Sequence, residues 1–318
     1  MTHTRQNTTR IAIVGAGNVG ATFAHTLLLS GLAAEIVLID QNKAKAEGEA
    51  MDLNHAVPLT EPARIWAGDY PDCAGAAVTV ITAGSAQRPG ESRLDLLQRN
   101  AAIFRQIVTA VVEHNPDGLL LIATNPVDIL TYVAWKISGL PVQRVLGSGT
   151  ILDTARFRYL LSDHFGVDAR SVHAYIIGEH GDSEVPVWSL ANIAGMRLPL
   201  YCENNNLKCD TDVLDKIFAQ TRDAAYEIIA KKGATYYAIA AGLMAIIRAI
   251  LRNQNTVLSV SNYIENYYGI NDVYLSLPSI VDRGGVERMM QLELNEKEIA
   301  GLQNSARILR ETLDQLSY

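Results

Sequence analysis

Cysteine is scarce in this chain. Three occur in 318 residues: Cys73, Cys202 and Cys209. The count is odd and no C-x-x-C pair is present, so neither a disulfide framework nor a zinc site is indicated, and no metal is expected. A reducing cytoplasm is the expected compartment. Basic charge is also in deficit: 27 Lys and Arg against 34 Asp and Glu give a net charge of −7. That balance excludes the broad basic footprint of a nucleic-acid binder, while leaving room for a local site for a small anion. Long apolar runs are missing too. The stretch AIAAGLMAIIRAIL (238–251) meets Arg248 well before it reaches membrane-spanning length, so no membrane partner is expected. The opening MTHTRQNTTR is polar and has no apolar core of a secretory signal. There is no internal repeat and no low-complexity tract.

Apolar residues make up 48% of the chain, enough for a substantial core. In the first half, short β-branched runs alternate with helical patterns. RIAIVGAG (10–17), EIVLID (35–40), AAVTVITAG (76–84) and GLLLIATN (118–125) are each followed by a helix-like segment. Continuous apolar strands between helices predict a parallel sheet covered on both faces, and right-handed crossovers make it a doubly wound α/β (Rossmann) unit. Near GSGT (147–150) the pattern changes to a mixed α+β one. Helical patterns cover ILDTARFRYLLSDHF, 210–232 and 234–252, and strands around a turn are expected over 273–290. A terminal amphipathic helix over 295–316 carries Ile299, Leu302, Ala306, Leu309, Leu313 and Leu316 on one stripe. The expected division is a dinucleotide-binding domain at 1–149 and a substrate domain at 150–318.

GAGNVG (15–20) is a G-x-G-x-x-G that ends a strand and opens a helix. Gly15 permits the tight turn, Gly17 lets a pyrophosphate approach the backbone, and Gly20 lets helix and strand pack closely. Asp40 ends the second strand, where a carboxylate accepts a ribose 2′-hydroxyl. Gln41 and Asn42 follow it, with no arginine for a 2′-phosphate, so NAD is expected rather than NADP. Val19 inside the motif and Gly84, which ends AAVTVITAG, join this cofactor set.

In the second half, Asp153 and Arg156 are three apart in a helical run and share a face. Arg158 lies roughly 200° around the helix from Arg156 and must serve something else. His180, in IGEHGDSE, is a side chain able to take and return a proton near neutral pH. A carboxylate such as Asp153 would fix its tautomer, and Arg93 or Arg156 would supply a bidentate clamp for a substrate carboxylate. By spacing alone, Asp153 and Arg156 equally fit an ordinary helix-surface pair, and His180 a structural histidine.

At these residues the chain resembles the L-lactate/malate dehydrogenase family, and within it the bacterial members that act on L-lactate. The resemblance runs in order from about 10 to 315 through GAGNVG, TAGSAQRPGESRLDLLQRN, ATNPVD, GSGTILDTARFRYLLSDHFGV, VHAYIIGEHGDSEVPVWS and KKGATYYAIA. It implies reversible hydride transfer between NADH and pyruvate, giving L-lactate. His180 would be the proton donor and acceptor, Asp153 its partner, and Arg156 the carboxylate clamp. Arg93 would polarise the carbonyl from a closing loop. Asn125 would touch substrate and nicotinamide, Thr235 would line the substrate pocket, and Ile239 would pack on the nicotinamide ring. Gln87 falls where family members acting on malate carry arginine, because oxaloacetate brings a second carboxylate. A neutral Gln87 therefore points to pyruvate. Malate dehydrogenase activity is the alternative, since Arg88 stands next door. The resemblance also places Arg158 and His173 where bacterial lactate-type members bind fructose 1,6-bisphosphate across a two-fold interface. It thereby implies an allosterically activated homotetramer.

Overall fold

A computed structural model describes residues 9–85, 90 and 92–316. The first half contributes strands β1 (Arg10–Val14), β2 (Glu35–Ile39), β3 (Arg64–Ala67), β4 (Ala76–Ile81), β5 (Leu119–Ile122) and β6 (Val145–Gly147). Between them run helices α1 (Asn18–Ser30), α2 (Lys43–Ala56), α3 (Arg93–His114) and α4 (Val127–Ser138). These six strands are parallel, in the order β3-β2-β1-β4-β5-β6. This is the doubly wound arrangement that the continuous apolar runs predict. Residues of one strand alternate between the two faces. Ala12 and Val14 of β1 pack with Leu97 and Phe104 of α3 and Leu130 and Val133 of α4. Ile11 and Ile13 pack with Phe23 and Leu27 of α1 on the other face.

The second half begins with α5 (Ile151–Phe165). Five two-residue strands follow: β7 (Val172–His173), β8 (Ile176–Ile177), β9 (Val185–Pro186), β10 (Asn192–Ile193) and β11 (Met196–Arg197). Then come α6 (Leu198–Asn205), α7 (Thr211–Lys232), α8 (Tyr237–Arg252), β12 (Thr256–Ile264), β13 (Val273–Asp282), β14 (Gly285–Met289) and α9 (Glu296–Asp314). The long strands do not make a separate sheet. β12 pairs antiparallel with β6 through Ser261 and Gly147, and β13 and β14 extend it, giving nine strands in one sheet. Leu243 and Ile247 of α8 join the α1 side of the core, while Leu302, Leu309 and Leu313 of α9 join the α3–α4 side. The predicted stripe on α9 is the face it buries. β12 has no equivalent in the sequence reading. Its Ser259, Ser261 and Asn262 are buried despite being polar, which hides the strand from any apolar pattern.

Cys202 of α6 and Cys209, just before α7, are joined in a disulfide with their Cα atoms 6.2 Å apart. This corrects the reading that no disulfide is indicated. The chain folds back after α6, where Asn206 takes a left-handed conformation at φ 53°. That turn brings together two thiols whose spacing resembles no disulfide pattern. Cys73 is free and buried. Among the described residues, no helix is long and apolar enough to cross a membrane.

Candidate active site

At the C-terminal ends of the parallel strands lies a cleft of about 290 Å³ lined by Gly15, Gly17, Asp40, Thr82 and Gly84, among others. Gly15 sits at φ +108°, a conformation that a side chain disfavours, and a Cβ there would stand 2.6 Å from the Ala83 nitrogen. A Cβ on Gly20 would come within 1.9 Å of the Gly15 carbonyl oxygen, so only glycine allows α1 to start against β1. A Cβ on Gly17 meets nothing within 4 Å. That open side faces the N-terminus of α1, which has no capping side chain and no acidic residue in its first turn. A helix end of this kind suits a diphosphate. Asp40 is held by two backbone donors: Ala16 N–H to Oδ2 at 2.7 Å and Asn42 N–H to Oδ1 at 2.8 Å. The carboxylate is thereby fixed at the cleft, and these residues fit a dinucleotide. Tyr70, Ile103, Gln106 and Ile107 also line the cleft. Sequence reading missed them because Ile103 and Ile107 lie on the apolar stripe of α3, which reads simply as core, and Tyr70 and Gln106 stand in no motif.

The second group of residues is assembled around one carboxylate. Asp153, in the first turn of α5, is 2% exposed. Its Oδ2 lies 2.5 Å from His180 Nδ1, and its Oδ1 accepts from Arg156 Nη1 at 2.9 Å. One acid thus binds both the imidazole and the guanidinium. Burial alone would push the Asp153 carboxyl up, but the His180 ring and Arg156 outweigh it and hold it below the usual carboxylate range. Burial alone would lower His180. Asp153 outweighs that too, with Asp128 and Glu184 adding to it, and raises the imidazole to about 9. His180 therefore carries its proton at neutral pH, on a ring whose Nδ1 is occupied by Asp153. Its Nε2 is the atom left to exchange a proton with a substrate.

The loop that carries His180 is pinned by three helices. The His180 backbone N–H donates to Asp128 Oδ2 at 2.7 Å from the first turn of α4. From α9, Ser305 Oγ accepts the Glu179 N–H at 2.7 Å and bonds the Ser183 carbonyl oxygen at 2.9 Å. Tyr226 of α7 donates to Asp182 Oδ1 at 3.0 Å. Asp128, Ser305 and Glu184 are site residues that the sequence reading did not single out. Only the run NPVD, in which Asp128 follows Asn125, offered a signal.

Asn125 lies at an exposed position just past β5. Arg156 and Thr235 line a common cleft of about 580 Å³, together with Gln220, Ile228 and Tyr236 among others. This cleft and the cofactor cleft share no lining residue. Val19 and Ile239 are half-buried on the same apolar cluster, where α1 packs against α8. Arg93 is the first residue of α3, and its side chain lies outside the description. Gln87 and Arg88 also lie outside the described residues.

Arg158 points away from Arg156, as the helical period requires. Its Nε donates to the Ala174 carbonyl at 2.8 Å, and its guanidinium lies over the Tyr175 ring, 4.9 Å from the centroid. His173, exposed on β7, is the neighbour of Ala174. Arg158 therefore contacts the segment that immediately follows His173.

Family profiles match in chain order. The lactate/malate dehydrogenase NAD binding domain covers residues 9–147, and the lactate/malate dehydrogenase alpha/beta C-terminal domain covers 150–317. An L-lactate dehydrogenase of Acetivibrio thermocellus is 53% identical over 308 residues, covering 96% of this chain and 97% of that protein. L-lactate dehydrogenase 2 of Bacillus cereus is 54% identical over 305 residues, covering 96% and 97%. Among solved structures, a lactate dehydrogenase enzyme from a Medee basin deep-sea metagenome library superposes with a TM-score of 0.96 at 46% identity, covering 98% of this chain and 100% of that one. The minor L-lactate dehydrogenase of Enterococcus mundtii, in a ligands-bound form, gives 0.95 at 43% identity, covering 98% and 99%.

Proposed function

The chain belongs to the lactate/malate dehydrogenase family and is an NAD-dependent dehydrogenase, and we propose that its reaction is the reversible reduction of pyruvate to L-lactate. The observation that carries this reading is the Asp153 carboxylate shared between His180 and Arg156. It places a proton donor and a carboxylate clamp on opposite sides of one acid. A 2-oxo acid needs both, one at its carbonyl and one at its carboxylate. We take residues 1–149 as the cofactor-binding part and 150–318 as the part that supplies the chemistry.

Gly15, Gly17, Val19, Gly20, Asp40 and Gly84 hold the cofactor, with Asn125 and Ile239 at its nicotinamide end. Bound there, NADH supplies the hydride. Arg156 fixes the substrate carboxylate in a bidentate geometry, and Thr235 borders the pocket. His180 delivers its proton from Nε2 to the carbonyl oxygen as that oxygen gains charge. Asp153 steadies the ring and stabilises its charged form before transfer. Arg93 stabilises the growing negative charge on the oxygen. Gln87 leaves a second substrate carboxylate without a counter-charge, which disfavours oxaloacetate. In the reverse direction the neutral His180 takes the proton of the lactate hydroxyl. We further propose a cytoplasmic homotetramer in which Arg158 and His173 of paired subunits receive fructose 1,6-bisphosphate. The contacts of Arg158 with Ala174 and Tyr175, next to His173 in the chain, support this reading.

Initial rates of NADH oxidation with pyruvate and with oxaloacetate, each with and without fructose 1,6-bisphosphate, test these statements. Pyruvate is expected to be preferred by at least about tenfold in kcat/KM, with a lower KM in the presence of the bisphosphate. A preference for oxaloacetate would overturn the assignment of Gln87. A KM indifferent to the bisphosphate would overturn that of Arg158 and His173.

A further inference from the structure

Glu184 lies four residues past His180 and is not needed by the chemistry above. It is 6% exposed, and its Oε1 has no hydrogen-bond partner among the described residues. Its backbone N–H bonds the Gly181 carbonyl at 3.1 Å, so it closes the turn on which His180 sits. The charged groups facing it are Asp153 and Arg156 from α5, His180 from its own loop and Arg222 from α7. Arg222 is already paired with Asp223 at 2.9 Å.

The charge count of this buried cluster decides what Glu184 does. With His180 protonated and Glu184 ionised, two cations (His180 and Arg156) face three anions (Asp153, Asp128 and Glu184). A substrate carboxylate arriving at Arg156 would then raise the excess to two negative charges in a poorly hydrated site, which is costly. With Glu184 neutral the cluster is even before substrate arrives, and the arriving carboxylate leaves an excess of one instead of two. We propose that Glu184 is a charge-balancing residue that must hold a proton for substrate to bind, so that the 2-oxo acid enters together with a proton whenever Glu184 is ionised beforehand. The proton comes from solvent and goes to the Glu184 carboxylate. This inference rests on Arg156 receiving the substrate carboxylate, as proposed above.

The intrinsic acidity of the group agrees with this role. Burial pushes the Glu184 carboxyl up and Asp153 adds to it. His180, Arg156 and Arg222 offset only part, and it stands at about 8. Below that pH the side chain is already neutral and substrate binds without proton uptake. Above it, each binding event must recruit a proton, and apparent affinity falls as pH rises. His180 is faced by Asp153, Asp128 and Glu184 and must also be protonated for reduction; its own limit lies at about 9. Asp128, pushed up by burial, stands at about 6 and is ionised throughout the range tested.

The proposal therefore predicts two proton-dependent steps in the alkaline range where His180 alone would give one. In the unaltered enzyme, kcat/KM for pyruvate at saturating NADH should fall roughly 1,000-fold between about pH 7 and about pH 10, with a limiting slope of about two on a logarithmic plot. In Glu184→Gln it should fall only roughly 10- to 50-fold, with a slope of about one. A slope of one in both proteins overturns the proposal. A second measurement needs no variant. Oxamate, an unreactive analogue of the 2-oxo acid, is bound to the NADH complex near pH 9 and the proton uptake is titrated. Uptake above about one proton per site supports the proposal, and one or fewer overturns it. If pyruvate is not turned over and oxamate does not bind, the activity reading itself falls, and this inference with it.

Discussion

The cofactor cleft and the proton-transfer cluster of this molecule are built in different ways. The cleft is made largely from backbone. Gly15, Gly17 and Gly20 act through what they lack, and Asp40 is held by the amides of Ala16 and Asn42. Its key residues lie within a single strand–helix–strand unit. The cluster at His180 is made from side chains drawn from distant parts of the chain: Asp128 on α4, Asp153 and Arg156 on α5, and Ser305 on α9. A site of the first kind is written in one short motif. A site of the second kind exists only after the whole chain has closed around it.

If that contrast is real, the two sites should fail separately. The largest expected effect is at His180. His180→Asn removes the exchangeable proton, and pyruvate turnover should fall about 10²–10⁴-fold, while NADH affinity, read by fluorescence titration, stays within about twofold. A parallel loss of NADH binding would break the comparison. Gly20→Ala attacks the other site. Its Cβ would stand 1.9 Å from the Gly15 carbonyl oxygen, and the backbone adjustment should weaken NADH binding by about 1–3 kcal/mol, roughly 5- to 150-fold in Kd. At a saturating concentration of NADH, kcat should recover. The smallest effect on chemistry is expected from Ser305→Ala. Ser305 is fully buried and accepts the Glu179 N–H, so its loss strands a buried donor at a cost of about 1–3 kcal/mol. Denaturant unfolding should show that loss, and kcat/KM should drop several-fold with NADH affinity unchanged. An unaltered kcat/KM would mean that α9 supports the fold but not the His180 loop.

The same contrast explains what could be read from the sequence. Four of the six parallel strands were legible, because β1, β2, β4 and β5 are continuous apolar runs between helices; β3 and β6, four and three residues long, were not. The terminal helix was legible from its stripe, with Leu302, Leu309 and Leu313 all buried. His180, Asp153 and Arg156 were named, but residue spacing left them as separate candidates until the family resemblance grouped them. β12 was missed because Ser259, Ser261 and Asn262 are buried polar residues that break its apolar pattern; Ser259 Oγ, for example, donates to the Ile176 carbonyl at 2.8 Å, far away in the chain. Asp128 and Glu184 were missed for a similar reason. Their roles depend on burial, which a local run such as NPVD or GDSEV does not reveal. The Cys202–Cys209 bond depends on a reversal of the chain at Asn206 that no cysteine count foresees.

The pairing of Ser261 with Gly147 has a mechanical consequence. It makes β12 a continuation of the parallel sheet, so the frame that carries Asp40 and the frame that carries His180 are one stiff plate. Two such halves cannot swing like jaws about a hinge without tearing backbone hydrogen bonds from the middle of the sheet. Any shielding of the reacting atoms from water then falls to the loops and helices that border the plate.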